Sequence, residues 1–357
     1  MEFDRDFIFS HQKVYNIHTN KSYNSKISLI LSDETPQNLR LLLHDGQWDQ
    51  YNWEIEPSES FDNLLINRCR QLRQMYPYLT LYFSGGADSE TMVQSFIKAG
   101  IDPDEIVINV FEVANENPLP DVELAIKKLN IYKNYLQKTK ITINRFGREL
   151  LLKLLDGNLW FDSYFNGSIG NIRRLTLPIY QELGFYKDFV HYTGHIFADM
   201  KPQVEVKNNK FYAKMGQGLS IGQYADWFYT SLDAPELQIK QAHLVKNYFK
   251  IHVPTATGYL GERSKYKEDV IKACRYKFDD RFQPDKFDGL GSDVLIKKKT
   301  EDSVVYNLMK SKDHQLFDTY TSKTKELLSG IKSKSLIRPD TYDLVPISYQ
   351  QEFYLGE

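Results

Sequence analysis

Cysteine is nearly missing from this chain: Cys69 and Cys274 are the only two in 357 residues, and they stand far apart. That excludes a disulfide framework and a Cys-x-x-Cys metal or redox pair, and it fits thiols kept reduced. Long apolar runs are lacking as well. No stretch approaches the roughly 20 residues that span a bilayer. Residues Met1 to His11 carry Glu2, Asp4, Arg5 and Asp6, unlike a secretory leader. An excess of one charge is also lacking. Against 47 Asp and Glu stand 45 Lys and Arg, a net charge of −2, so no whole-molecule field draws the chain to nucleic acid or lipid. Internal repeats and low-complexity segments are absent. These absences predict a cytoplasmic protein with no membrane attachment.

What is abundant is the aromatic ring. Tyr and Phe number 24 and 21, and aromatic residues make up 14% of the chain. We read this as large cores or sticky interfaces, the latter compatible with a homo-oligomer. A hydrophobic share of 41% supplies a real core, and the length suits one large or two ordinary domains. Residues 1–57 read as a small β-rich unit, with strand patterns at Phe7–Phe9, Val14–Ile17, Ile27–Leu31, Leu39–Leu43 and Trp48–Ile55. Ser58 or Ser60 then opens a helix whose stripe is Phe61, Leu64, Leu65, Cys69 and Leu72.

The stretch around which the rest is organised is Leu79 to Glu90. An apolar run ends in Ser84-Gly85-Gly86-Ala87-Asp88-Ser89, and Met92, Val93, Phe96 and Ile97 follow at helical spacing up to a stop at Gly100. Strand, tight loop and helix start offer a sharply turning backbone, free N–H groups and the positive end of a helix dipole, which together suit a phosphate chain. No Gly-Lys-Ser or Gly-Lys-Thr follows the glycines, so this is not a Walker A loop. The pattern continues with a strand over 105–111, a helix from Asp121, a strand at Ile141–Ile143 and a helix over 148–155. Such alternation predicts an α/β fold with a doubly wound, mainly parallel sheet over residues 58–254. On the helix from Asp121, Val122, Ala125, Ile126, Leu129 and Tyr132 make the apolar face, and Lys127, Lys128, Lys133 and Lys138 the polar one.

Further candidates follow along the chain. The loop 164–174 ends in Arg173 and Arg174 after small polar residues, a pattern that suits an anion. A helix is expected over 175–183 and a strand over 189–193, with Gly194, His195, Asp199 and Lys201 leaving its end. Lys207–Lys210 turns a hairpin, Gly216–Gly222 leads into a helix through Trp227–Tyr229, and Asp233-Ala234-Pro235 opens the helix that carries Lys240 and His243. His195 and His243 are acid–base candidates. Residues 255–357 read as a helical, lysine-rich region, from Lys297 to Arg338, either a solvated face or a strip for nucleic acid.

The hexad Ser84–Ser89 resembles the Ser-Gly-Gly-x-Asp-Ser signature of the PP-loop ATP pyrophosphatases, a superfamily that includes asparagine synthetase and 7-cyano-7-deazaguanine synthase. The resemblance covers mainly residues 60–250 and is tight at the loop alone. It implies ATP and Mg2+ as cofactors and cleavage of ATP to AMP and pyrophosphate. A substrate oxygen would be activated for attack by a nitrogen nucleophile, as in ligases that form amides or nitriles. Ser84, Gly85, Gly86, Ala87, Asp88 and Ser89 would hold the phosphates, with Asp88 on the metal. Val110, Phe111 and Gly194 would lie on the nucleotide side, and Glu112 and Asn115 near the ribose. Lys240, Lys201, Arg173 and Asp199 would complete the catalytic group, with Lys240 preferred over Lys201. Glu2 stands where the asparagine synthetases carry the glutaminase cysteine, so that activity is not expected. A small-molecule acceptor is the first reading. The alternatives are a base-modifying enzyme of nucleic acid and an inactive nucleotide-binding module.

Overall fold

Short strands lead the chain in the computed structural model, which describes residues 13–23, 34–42, 48–112, 121–156, 193–198, 203–214, 225–260, 265–274, 309–329, 348–349 and 352–357. They are β1 (Lys13–Asn16), β2 (Ser22–Tyr23) and β3 (Leu39–Leu42). Residues 48–55 do not continue the strands, contrary to the sequence reading. Instead Trp48 and Trp53 fold the segment on itself: the Trp53 indole donates to the Trp48 carbonyl at 3.2 Å, and both rings are buried. Burial of large rings outweighs ladder pairing here.

Ser60 caps α1 (Phe61–Met75), its hydroxyl accepting from the Asn63 N–H at 3.2 Å. The helix ends at Tyr76 because Pro77 bars its predecessor from the helical region. The units β4 (Tyr78–Tyr82), α2 (Ala87–Ala99), β5 (Glu105–Phe111), α3 (Asp121–Tyr132), β6 (Lys140–Phe146) and α4 (Arg148–Asp156) follow. Gly100 takes a left-handed conformation (φ 67°) and stops α2, as expected. Next come β7 (Thr193–Phe197), β8 (Gln203–Lys207), β9 (Lys210–Lys214), β10 (Ala225–Trp227), α5 (Pro235–His252), β11 (Gly258–Leu260) and α6 (Lys267–Cys274). The last described elements are α7 (His314–Ser329), β12 (Ser348–Tyr349) and β13 (Glu352–Gly356).

Five strands form a parallel sheet in the order β10-β7-β4-β5-β6. An α/β fold is therefore what these residues build. Alternation along the strands sorts the two faces. Leu79, Leu81, Phe83, Ile106, Ile108, Val110 and Ile196 share one core with the apolar stripes of α1, α2 and α3. Register places Tyr78, Thr80 and Tyr82 beside Thr193, His195 and Phe197 on the opposite face. Two expectations are corrected in this sheet. Residues 225–227 form a strand, not a helix, because they extend the parallel ladder from β7 and the buried Arg68 guanidinium of α1 binds the carbonyls of Trp227 and Phe228. The strand expected over 189–193 runs instead through Phe197, since His195–Phe197 pair with both β4 and β10; residues 189–192 lie outside the described ones.

A second, antiparallel sheet has the order β11-β8-β9-β13. Its hairpin between β8 and β9 turns on Asn208 and Asn209, both with positive φ, the form that a two-residue connection favours. Val204, Phe211, Ala213 and Leu260 pack with Ala242, Val245 and Phe249 of α5 and with Trp48 and Trp53. The end of the chain returns to both small sheets, β12 pairing with β3 and β13 with β9. Among the described residues, no helix is long and apolar enough to cross a membrane.

Candidate functional site

At the carboxyl end of β4 the backbone leaves the sheet through Ser84 and Gly85 and enters α2 at Gly86. Gly85 has φ 71°, and it is buried under α3: a Cβ built on it would lie 2.9 Å from the Cα and Cβ of Ala125. Glycine is thus required for both conformation and space. The two serines tie the loop shut. Ser89 accepts from the Ser84 N–H at 3.2 Å, lies 3.2 Å from the Ser84 hydroxyl and donates to the Gly86 carbonyl at 3.0 Å. The Gly86 N–H points to the Ser84 hydroxyl at 3.3 Å. Ser84 is exposed and Ser89 buried, so the first stands at the outer edge of the loop and the second within its frame. Gly86 is the N-cap of α2 and brings no side chain to cap it. The positive end of the dipole therefore opens at the loop.

Two side chains from elsewhere fix this turn. The Tyr229 hydroxyl, just past β10, donates to the Asp88 carbonyl at 2.8 Å. Beneath the loop, the Lys128 ammonium pairs with Glu90 at 2.6 Å and approaches the Gly85 carbonyl at 3.5 Å. Tyr132 donates to the other Glu90 oxygen at 2.6 Å and accepts from Gln94 at 3.0 Å. All four are buried. Burial and the adjacent Glu90 carboxylate push the Tyr132 phenol well above its ordinary pKa, so it stays a neutral donor. The assignment of Lys128 to the polar face of α3 is thus corrected. Its position, three residues after Ala125 and four before Tyr132, falls on the stripe that meets α2. That spacing was the available signal, as was Glu90 three residues before Val93.

The order of the sheet places its switch point between β4 and β7, where the chain reverses its direction of growth, and ligands of open parallel sheets gather at the carboxyl ends there. Along that edge the Tyr82 and Phe197 rings stack, 4.1 Å between centroids and 6° between planes, and Trp227 meets Phe197 edge-on. His195 lies beneath them, 5% exposed, with Nδ1 3.5 Å from the Tyr82 hydroxyl. Burial pushes its pKa down to about 3, so the ring is neutral.

Other candidates are placed as follows. Val110 belongs to the helix-side core, 1% exposed. Phe111 ends β5 beside Phe146 of β6. Glu112 pairs with Arg145. Gly194 is buried against the Tyr76 ring. Lys240 pairs with Glu56 at 2.7 Å and donates to the Pro57 carbonyl at 2.9 Å. His243 contacts the Trp53 carbonyl at 2.8 Å within the second core. Asn115, Arg173, Asp199 and Lys201 lie outside the described residues.

No group of three or more His, Cys, Asp or Glu gathers among the described residues. Magnesium does not need one: it keeps waters and takes one or two carboxylates together with phosphate oxygens. Asp88, half-buried in the first turn of α2, is a hard donor of the right kind.

No protein-family model matches the chain, and no curated protein matches it. Among solved structures it is similar to an NH3-dependent NAD synthetase from Campylobacter jejuni subsp. jejuni NCTC 11168 in complex with the nitrate ion. The identity is 13% and the TM-score 0.31, over 78% of this chain and 100% of that one. A likeness so slight carries no argument about function.

Proposed function

We propose that this protein binds ATP at the Ser84–Ser89 loop and cleaves it between the α and β phosphates. The observation that carries the reading is the placement of the hexad. It joins a strand to a helix at the carboxyl edge of a parallel sheet, beside the switch point, with Ser84 exposed and an N-cap that has no side chain. Loop N–H groups and the helix dipole suit the pyrophosphate end. Asp88 would hold Mg2+, which supplies charge neutralisation at the phosphates.

In the reaction a substrate oxygen attacks the α phosphorus, and the bond to the bridging oxygen breaks. Pyrophosphate leaves with the electron pair. A nitrogen nucleophile such as ammonia then displaces AMP, forming a carbon–nitrogen bond on a small-molecule acceptor. Arg173, Asp199 and Lys201 are the proposed further members of the catalytic group, on the resemblance alone. Lys240, held by Glu56, is not carried into it.

The test is incubation with ATP, Mg2+, ammonium and a panel of small carboxylic acids. AMP and pyrophosphate are expected in equal amounts. Ser84→Ala should slow turnover on the order of a hundredfold, the scale for one lost donor to developing charge. Asp88→Ala should abolish it. ADP and phosphate as products would sink the reading.

A further inference from the structure

Three buried polar side chains under the loop do more than fill space. Glu90, Lys128 and Tyr132 are 3%, 8% and 3% exposed, yet two of them are of opposite charge and sit against a glycine turn. An ion pair in such a place is weak evidence for stability, since desolvation offsets much of its attraction. Its geometry is the informative part. Each oxygen of Glu90 has its own donor, Lys128 on one and Tyr132 on the other, and Gln94 orients the phenol. The ammonium is thereby fixed in place with the Gly85 carbonyl within reach at 3.5 Å.

A trans peptide points its C=O and its N–H to opposite sides, and no described peptide bond is cis. With the Gly85 carbonyl drawn inward to Lys128, the Gly86 N–H must face outward. There it meets the hydroxyl of the exposed Ser84 at 3.3 Å. Gly85 has no side chain to resist rotation, and its φ of 71° is held from outside. Ala125, Lys128 and Tyr132 form the stripe of α3 that does this: the first by contact, the second by charge, the third by holding Glu90.

We infer that Glu90, Lys128 and Tyr132 are positioning residues for the anion end of the site, setting the Gly85–Gly86 peptide so that its N–H holds the Ser84 hydroxyl on the side that would meet the pyrophosphate group. This rests on the proposed function. The residues touch no reacting atom; they act through the backbone.

The experiment is calorimetric titration of the full chain with inorganic pyrophosphate plus Mg2+ and, separately, with AMP. Glu90→Gln combined with Lys128→Met removes both charges while keeping shape, and Tyr132→Phe removes one hydrogen bond and spares the ion pair. The paired substitution should weaken pyrophosphate binding about tenfold or more, the scale of one hydrogen bond to a charged group. AMP binding should stay within about twofold, since a loop-directed effect spares the nucleoside end. Tyr132→Phe should shift pyrophosphate affinity in the same direction by less, and it serves if the paired variant does not fold. Unchanged pyrophosphate affinity in folded variants overturns the inference and leaves the proposed function standing. Equal losses for both ligands overturn it too, for the network would then serve stability only. If the unsubstituted chain binds neither pyrophosphate nor AMP, the site reading itself fails and takes this inference with it.

Discussion

A methyl group on Gly85 would lie 2.9 Å from both the Cα and the Cβ of Ala125. Loop and helix are in contact at a distance that no Cβ tolerates, and the φ of 71° is one that side chains avoid. Gly85→Ala should therefore destabilise the protein by about 2–5 kcal/mol, combining the left-handed cost with overpacking. Urea unfolding measures it. Ala125→Gly in that background should recover at most a small part of the loss, because it removes the Cβ contact and leaves both the 2.9 Å approach to the Cα and the backbone strain. A Gly85→Ala protein as stable as its parent would show that α3 does not press on the loop.

Gly194 offers a second close approach, with a different meaning. Its added Cβ would meet Cγ and Cδ2 of Tyr76 at 2.3 Å, and that ring is buried, so it cannot swing away. Gly194→Ala should cost about 1–3 kcal/mol. A double-mutant cycle separates packing from any other cause: Tyr76→Ala should cost less in the Gly194→Ala background than alone. Additive losses would argue against the contact.

The sequence announced the central sheet because its strands are apolar runs closed by strong punctuation. Gly100 ends α2, Pro77 ends α1 and Ser84–Ser89 marks the turn between β4 and α2. The pairings of β7 and β10 were less legible. Ala225–Trp227 is three residues long, too short for periodicity to show, and its identity as a strand comes from neighbours distant in the chain. The support under the loop was misread for a related reason. Lysine and glutamate usually face water, so Lys128 and Glu90 pass for surface until their mutual neutralisation in the core is seen. Trp48 and Trp53 resembled strand residues by composition; their packing on each other, and of Trp53 on Phe353 far along the chain, decides otherwise.

Arg68 binds the outermost described strand of the sheet to α1. Its guanidinium is buried, 3.2 Å from Asp226, and donates to the carbonyls of Trp227 and Phe228 at 2.9 and 3.2 Å. Gln71 takes a further donor at 2.8 Å. Arg68→Met removes the cation facing the buried Asp226 and should cost about 3–5 kcal/mol. Arg68→Lys should not restore it, since an ammonium cannot serve that fork of acceptors. Asp226→Asn added to Arg68→Met should recover stability, because no buried charge is then left behind. Chemical denaturation of the three proteins decides the matter, and equal stability of the two Arg68→Met proteins would count against the ion pair.

His195 makes stability depend on pH. Burial pushes its pKa down to about 3 in the folded chain, against about 6.5 for an exposed ring. The unfolded state therefore takes up a proton that the folded state refuses. Stability is complete above pH 6.5 and declines as pH falls toward 3, by up to about 1.4 kcal/mol per unit for this one group. Between pH 6.5 and 5 the share of His195 comes to about 2 kcal/mol. Other groups titrate in the same window, so the measurement is a difference. Unfolding free energies of the parent and of His195→Gln are compared from pH 5 to 8. The parent should lose stability more steeply on the acid side, the two curves converging as pH drops. Parallel curves would mean that the imidazole takes up its proton as readily in the folded chain as in the unfolded one, and that the aromatic edge of Tyr82, Phe197 and Trp227 does not shield it.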